Sequence, residues 1–276
     1  MTLNIKGTLL DLSKPKVMGI LNITPDSFFD GGEYNTEEKI LSQVKKMLIE
    51  GADIIDIGGQ SSRPGAKKLT IKKEIDRVIP IIKLITKKYK NVIISIDTFN
   101  SEVAKKAIDA GASIVNDISG GDLDKDMYRI VGDLKVPYIM MHMKGVPSTM
   151  QNNPKYDDII FDIIKNLSYK IDLAKKAGIL DIIIDPGFGF GKSLKDNFKI
   201  LKNLTSFKQL NQPIMVGVSR KSMIYNVLES NANDALNGTT CLNSISINNG
   251  ANIIRVHDVK EAKETVKLIG FMNENS

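Results

Sequence analysis

Cysteine, histidine and tryptophan are almost missing from this chain of 276 residues, and each scarcity excludes a class of protein. A single cysteine, Cys241, excludes an internal disulfide framework and predicts a reducing compartment, the cytoplasm. One thiol and two histidines offer too few ligands for a structural zinc site. No apolar run approaches the roughly 20 residues that cross a membrane. The first residues, which include Asp11, lack the basic start and long apolar run of a signal peptide.

Arginine is also scarce, although the chain is basic. Only five of the 38 basic residues are arginine, and the net charge is +6. The lysines are spread over segments typical of surface helices, and aromatic residues make up only 6% of the chain, so we expect no nucleic-acid partner. Three arginines, Arg63, Arg220 and Arg255, come at or just after the ends of apolar runs. Because guanidinium groups pair with phosphate and carboxylate, these positions indicate an anionic substrate.

Eight short apolar runs alternate with segments of helical periodicity along the chain. Such runs are typical of parallel strands that are covered outside and packed inside. The pattern predicts a single (β/α)8 TIM barrel over residues 1–276, preceded by a strand or hairpin at residues 3–12; a doubly wound open sheet is the alternative. The runs end at polar residues or glycines: Asn22, Gly58, Asp97, Asn116, His142, Asp185, Ser219 and Arg255. Because active sites of such barrels lie at the carboxyl ends of the strands, these residues are predicted to share one site.

Two loops are predicted to act as lids over that site. The first, NITPDSFFDGGEY, begins at Asn22, and the second, GGQSSRPGAKK, contains Ser62 and Arg63. Long loops on the catalytic face of a barrel often close over a substrate. Asn22 either satisfies a neighbouring backbone group or is the single protein ligand of a Mg²⁺ held chiefly by diphosphate oxygens.

Asp97, Asn116 and Asp185 provide two carboxylates and an amide at three predicted strand ends. Individually such residues cap helices. Together they suit a flat heterocycle with an amino-imino edge, because a carboxylate accepts two parallel N–H bonds. Phe190, in the run DPGFGFGKS, is either a packing residue or a cover over an aromatic ring.

Cationic residues gather at the last two strand ends. Ser219 to Ser222 form a predicted strand–helix junction, where backbone N–H groups favour an anion. Arg255 and His257 are two residues apart and therefore face the same side of a strand. No Ser-His-Asp spacing, activated cysteine or paired-carboxylate signal is evident, so the set suits departure of a diphosphate better than hydrolysis by a protein nucleophile.

Across essentially its whole length the sequence resembles the dihydropteroate synthase family of the folate pathway. The matching segments are MGILNITPDSF, IDIGGQSSRPGA, SIDT, IVNDISGG, MHMKGVPSTMQ, IIDPGFGFGK, GVSRKSMI and IIRVHDV. The resemblance implies a transferase that condenses (7,8-dihydropterin-6-yl)methyl diphosphate with 4-aminobenzoate, by an SN1-like path with Mg²⁺, giving 7,8-dihydropteroate and diphosphate. It also implies a sulfonamide target and, since family members are commonly dimers, a homodimer.

The resemblance also implies a role for each matching residue. Asn22 would bind Mg²⁺, and Ser222 would receive the benzoate carboxylate. The catalytic set would be Asp185, Lys221 and Arg255. Further groups would read the pterin edge (Asp97, Asn116 and Asp185), contact the pterin ring (Lys221), hold the diphosphate (Arg63, Arg255 and His257) and lie by the arene (Phe190, Pro64 and Ser62).

Three positions depart from the family pattern. Gln60 and Ser62 replace glutamate and threonine in the second loop, and Phe29 replaces serine in the first. Two alternative functions remain. A methyltetrahydrofolate-dependent methyltransferase releases no diphosphate and would not need two anion-binding segments. A non-catalytic pterin-binding paralogue is disfavoured by the retention of Asn22, Lys221, Arg255 and His257.

Overall fold

The strands of the structure follow the apolar runs of the sequence. The computed structural model describes residues 1–23, 33–60, 69–145 and 154–275. The strands are β1 (Thr2–Ile5), β2 (Thr8–Asp11), β3 (Lys16–Asn22), β4 (Ile54–Gly58), β5 (Ile94–Asp97), β6 (Ile114–Asp117), β7 (Tyr138–Met141), β8 (Ile182–Asp185), β9 (Met215–Val216) and β10 (Ile253–Val256).

Helices follow most of the strands, and local sequence signals fix their ends. The α-helices are α1 (Glu33–Glu50), α2 (Ile71–Lys88), α3 (Ser101–Asp109), α4 (Met127–Leu134), α5 (Ile159–Lys176), α6 (Leu194–Lys202), α7 (Ser222–Tyr225), α8 (Leu236–Asn248) and α9 (Val259–Glu274). Helix α2 begins after Thr70, whose hydroxyl accepts from the Lys73 N–H, and α6 begins with a reciprocal Ser193–Asp196 capping box. Within the described ranges, no helix is both long and apolar enough to cross a membrane.

Strands β3 to β10 form a nearly closed parallel barrel. Neighbours pair in the order β8-β7-β6-β5-β4-β3-β10-β9. The remaining gap is narrowed by a parallel bridge between Ile184 and Ile214 and by a 2.9 Å hydrogen bond from the Ile184 N–H to the Pro213 carbonyl. The predicted barrel is therefore confirmed, and the open-sheet alternative is wrong.

The predicted amino-terminal hairpin is also confirmed. Strands β1 and β2 pair antiparallel, and Lys6 and Gly7 between them both have positive φ, at 51° and 88°. Two such residues suit a two-residue turn with the twist of a hairpin. Leu3, Ile5 and Leu12 are buried in a cluster with inward-facing residues from the amino-terminal halves of seven barrel strands. The hairpin thus closes the end of the barrel opposite the predicted site.

Candidate active site

The two-residue period of the strands decides which side chains enter the barrel. On β4, Ile55 and Ile57 pack outward among the helices, whereas Ile54 belongs to the cluster at the closed end. Asp56 and Gly58 share the inward face with Ile54, because residues two apart on a strand point to the same side. On β10, Arg255 follows Ile253 on the inward face in the same way. Apolar residues therefore fill the closed end, and polar residues lie above them.

Arg255 is the centre of this polar layer. Its Nε donates to Asp56 Oδ2 at 2.6 Å, and its Nη2 donates to Asp97 Oδ2 at 2.7 Å. Asn116 Nδ2 donates to the same oxygen of Asp56 at 3.1 Å. The structure thus brings together Arg255, Asp97 and Asn116, three of the predicted site residues, around a fourth that was not predicted.

Asp56 is the site residue that sequence reasoning missed. Its side chain is fully buried, and its Oδ1 has no hydrogen-bond partner among the described residues. The run DIIDIGG contains the signal that could have identified it, because Asp56 lies two residues before Gly58 and therefore on the site-facing side. The polar layer therefore begins one level below the strand ends, deeper in the barrel than the strand-end residues predict.

Burial shapes the charge of this layer. Removal from water and, to a smaller extent, the carboxylates of Asp56, Glu74 and Asp117 together raise the pKa of Asp97 to about 7, despite the attraction of Arg255. Burial opposes the charge of Arg255, but Asp56 and Asp97 more than offset it, so the pKa of Arg255 is raised. The cation therefore stays charged, while Asp97 can exist with or without its proton near neutral pH.

Asp185, Lys221 and Phe190 form a second group in the cavity. Lys221 Nζ donates to the Phe188 carbonyl at 2.5 Å and lies 4.8 Å from the centre of the Phe190 ring. Burial lowers the pKa of Lys221 to about 8, with Asp185 opposing the shift. Burial likewise raises the pKa of Asp185, opposed by Lys221 and by the Gly187 N–H, which donates to Oδ1 at 2.7 Å. The structure therefore brings the Phe190 ring and the charges of Asp185 and Lys221 close together.

His257 and Ser222 lie at the exposed rim. Ser219 Oγ lies 3.0 Å from His257 Nδ1, and the His257 N–H donates to the same hydroxyl at 3.2 Å. Arg220, expected from its position to serve an anion, instead donates from Nε and Nη2 to both carboxylate oxygens of Asp258, at 2.9 and 2.6 Å. Its charge is therefore engaged by the protein itself.

Asn22 is exposed at the end of β3, beside Gly58 of β4. A Cβ added at Gly58 would lie 3.4 Å from Asn22 Oδ1 and 3.7 Å from Asp97 Oδ2, so the glycine leaves an open cradle between these oxygens. Gln60 follows, with a buried Oε1 that lacks a partner among the described residues. Phe29, Ser62, Arg63 and Pro64 lie outside the described residues.

Two other polar strand-end residues are used for packing. Asp117 faces outward on β6 and accepts from Tyr138 Oη at 2.7 Å and from the Ser119 and Gly121 N–H groups. His142, after β7, is buried and its Nδ1 lies 3.1 Å from Lys192 Nζ. Lys192 also donates to the carbonyls of His142 and Phe190, at 3.1 and 2.9 Å. Lys192 therefore ties the segment carrying Phe190 to the end of β7.

The buried Lys192 gives a prediction on stability. Burial lowers its pKa from 10.5 to about 7 in the folded protein. Between these values the unfolded chain binds more protons, so the free energy of unfolding should rise with pH by up to about 1.4 kcal/mol per unit. Urea unfolding from pH 7.5 to 9.5 should show a smaller rise for Lys192→Met than for the wild type. Lys195→Met, at an exposed position three residues further along in α6, should keep the wild-type slope; equal slopes in all three proteins would contradict the prediction.

The sequence is similar to that of known enzymes along most of its length. The family model described as pterin binding enzyme matches residues 18–257. The dihydropteroate synthase of Escherichia coli K12 is 42% identical over 271 residues, covering 98% of this chain and 95% of its own. That of Synechocystis is 44% identical over 272 residues, covering 96% and 93% of the two chains.

Solved structures give the same result. Yersinia pestis dihydropteroate synthase, solved with a sulfonamide drug complex, superposes with a TM-score of 0.93 at 39% identity, covering 99% of this chain and all of the other. The Xanthomonas albilineans enzyme, solved with 4-aminobenzoic acid, has a TM-score of 0.91 at 36% identity, covering 99% and 98%. The full-length match in sequence and in fold shows that this chain belongs to the dihydropteroate synthases, pterin-binding transferases of folate synthesis.

Proposed function

We propose that the cavity at the open end of the barrel binds (7,8-dihydropterin-6-yl)methyl diphosphate and 4-aminobenzoate side by side and joins them with release of diphosphate. The observation that carries this proposal is that hydrogen-bond acceptors and anion-binding groups lie at different depths of the same end of the barrel. Buried acceptors, Asp97, Asn116 and Asp185, lie deep, and an exposed anion-binding rim lies above them. The 4-aminobenzoic acid bound by the Xanthomonas albilineans relative supports the second substrate.

The deep acceptors read the amino-imino edge of the pterin. Asp185 and Asp97 accept N–H bonds from the ring, and Asn116 offers its amide oxygen while its Nδ2 donates to Asp56. Burial raises the pKa of Asp97 to about 7 and so disfavours its ionised form, whereas Arg255 and the N–H donors of a bound pterin favour that form. Lys221, beside Asp185 and Phe190, contacts the flat ring.

The reaction follows from these contacts. The bond between the exocyclic carbon and the diphosphate oxygen breaks first, and the electron pair leaves with the diphosphate. Asp97 and Asp185 face the electron-poor dihydropterin that remains, so their charge favours this step. The arylamine nitrogen then attacks the carbon with its lone pair and loses a proton to solvent. Since a neutral arylamine is nucleophilic, no general base is needed.

The anionic groups of both substrates lie toward the open end of the barrel. Arg255, in the polar layer, and His257, two residues further along at the exposed rim, bind the diphosphate together with Arg63 of the second loop. Ser222 is exposed on the neighbouring segment and donates to the benzoate carboxylate. Phe190 contacts the arene, and Ser62 and Pro64 of the second loop keep the arene-contacting role that the family resemblance implies.

A magnesium ion fits beside Asn22 Oδ1, in the space that Gly58 leaves open. Asn22 Oδ1 is a hard oxygen donor, and the described part of the chain contains no group of three or more His, Cys, Asp or Glu that could hold a metal by itself. One protein oxygen plus diphosphate oxygens is a common Mg²⁺ environment. The ion, when bound, neutralises charge on the departing diphosphate.

Replacing Asn22 tests this assignment. Asn22→Ala removes the only proposed protein ligand, so the Mg²⁺ concentration for half-maximal activity should rise by roughly an order of magnitude, as for a lost charge-assisted contact. Calorimetry of Mg²⁺ binding in the presence of diphosphate should show the same loss. Asn22→Asp keeps an oxygen and should recover most of it. An unchanged Mg²⁺ requirement in Asn22→Ala would remove the residue from the site.

We further propose one domain over residues 1–276, a cytoplasmic location and a homodimer. Cys241 is an exposed free thiol, which accords with a reducing compartment. The comparisons support neither a methyltransferase nor a non-catalytic paralogue.

The deciding experiment is release of diphosphate by purified protein with the dihydropterin-methyl diphosphate and Mg²⁺, with and without 4-aminobenzoate. We expect dihydropteroate only when 4-aminobenzoate is present, in equal amount to the diphosphate formed with it. Tight pterin binding without product would show a non-catalytic binder and would direct attention to Gln60 and Phe29.

A further inference from the structure

Arg220 adopts a backbone conformation that is unusual for its side chain. Its φ is +54°, in the left-handed region that non-glycine residues rarely enter. Local contacts hold it there: the Arg220 N–H donates to Thr239 Oγ1 at 3.1 Å, and the Lys221 N–H donates to the Val218 carbonyl at 3.1 Å. Such a conformation persists only when its surroundings fix it, and here it turns the chain between β9 and α7.

The Arg220 side chain forms a two-point ion pair with Asp258. Arg220 Nε donates to Asp258 Oδ2 at 2.9 Å and Nη2 donates to Oδ1 at 2.6 Å, which is the paired contact that arginine and carboxylate favour. The side chains are 30% and 17% exposed, so the pair is shielded more than an ordinary surface salt bridge. Asp258 precedes α9 but makes no side-chain cap bond to that helix. Its carboxylate therefore serves the arginine rather than the helix end.

A second contact runs alongside the first. Ser219 Oγ accepts from the His257 N–H and lies 3.0 Å from His257 Nδ1. Residues 219–220 are thus joined to residues 257–258 as two adjacent pairs. The first segment continues into Lys221 and Ser222, and the second carries Arg255 and His257.

We infer that Arg220 and Asp258 are a positioning pair for the reaction, holding the segment of Lys221 and Ser222 in register with the segment of Arg255 and His257. This inference rests on the proposed function, because those segments are the ones assigned to 4-aminobenzoate and diphosphate. Neither residue of the pair is assigned to a substrate, because the two side chains bond to each other. It sets the separation of the two anion-binding sides, and a misplacement of about 1 Å between reacting groups can reduce a rate about a hundredfold.

A double-mutant cycle tests the pair. Arg220→Gly removes the side chain and introduces a residue that adopts positive φ freely. Asp258→Asn removes the negative charge and keeps the shape of the side chain. We expect each single variant to weaken binding of inorganic diphosphate and to raise the KM for 4-aminobenzoate by roughly tenfold, with the double variant no worse than either single variant. Affinity for a free pterin without diphosphate should change less than twofold. Arg220→Lys, which keeps one contact, should recover part of the loss.

Lys135→Gly is the matched control. Lys135 also has a positive φ, 53°, but lies at the end of α4, away from these segments. Lys135→Gly should leave the diphosphate affinity, the KM for 4-aminobenzoate and the free-pterin affinity unchanged. The midpoint of thermal unfolding, measured for every variant, distinguishes destabilisation of the whole fold from displacement of the two segments.

Three results would overturn the inference. Unchanged diphosphate affinity and KM in both single variants would show that the segments need no such link. Additive losses in the double variant would show that the two residues act independently. Equal loss of free-pterin affinity would show a general structural role. If the wild-type protein binds no diphosphate, the assignment of the diphosphate side is overturned, and this inference with it. If the wild type binds diphosphate and the variants are unaffected, only the inference is overturned and the proposed function stays intact.

Discussion

Arg255→Ala is expected to lower kcat/KM by about two to four orders of magnitude. The Asp56 side chain is buried, and its ion pair among the described residues is with Arg255, which joins it to Asp97 through contacts of 2.6 and 2.7 Å. Removing one donor to charge that develops in the transition state costs about 2.7–4 kcal/mol, or two to three orders of magnitude in rate, and the departing diphosphate carries such charge. Loss of the cation beside Asp97, which reads the pterin edge, adds to this cost.

The two ligand classes should respond differently. Calorimetry should show a larger loss for the diphosphate ester than for free pterin, since only the ester meets Arg255 directly. Free pterin should still lose some affinity, because Asp97 loses its cation. Arg255→Lys should be intermediate. Equal losses for the two ligands would remove Arg255 from the diphosphate site.

The pH profile of Arg255→Ala gives an independent check. Arg255 is the attraction that lowers the pKa of Asp97 against burial, so its removal should raise that pKa above about 7. A carboxylate that must be ionised to accept pterin N–H bonds then becomes active only at higher pH. The acid limb of pterin binding should therefore move to higher pH in the variant. A limb that stays in place would show that Asp97 does not govern it.

Asp185→Asn is the second large effect expected. Asparagine keeps an oxygen for the Gly187 N–H but presents an NH₂ group where the pterin edge also donates. Leaving buried donors unpaired costs about 1.5–3 kcal/mol, so affinity for free pterin and for the diphosphate ester should fall about ten- to 150-fold each.

Asp181→Asn is the control for this substitution. Asp181 precedes β8 at the closed end of the barrel, where its carboxylate accepts from the Asn4 N–H at 3.2 Å. It should leave pterin affinity unchanged in the same calorimetric titration. Normal binding of free pterin by Asp185→Asn would withdraw Asp185 from the edge-reading set.

Several features of this protein are determined by the local sequence. The barrel follows from eight apolar runs separated by helical segments, because parallel strands buried on both faces need continuous apolar residues. The hairpin follows from alternating residues around Lys6 and Gly7. Because every barrel strand ends on the same side, Asn22, Asp97, Asn116, Asp185 and Arg255 could be assigned to one site from their positions alone.

Tertiary structure decided how those residues are paired. Sequence spacing does not show that Arg255 reaches two carboxylates on other strands, nor that Asp56, one layer deeper, is the fixed partner beneath it. Arg220 and Arg255 look equivalent at their strand ends, yet one bonds to Asp258 at the rim and the other lies in the cavity. The physical reason is that a strand end fixes where a side chain starts, while the charges and burial contributed by neighbouring strands fix where it points and whether it keeps its proton.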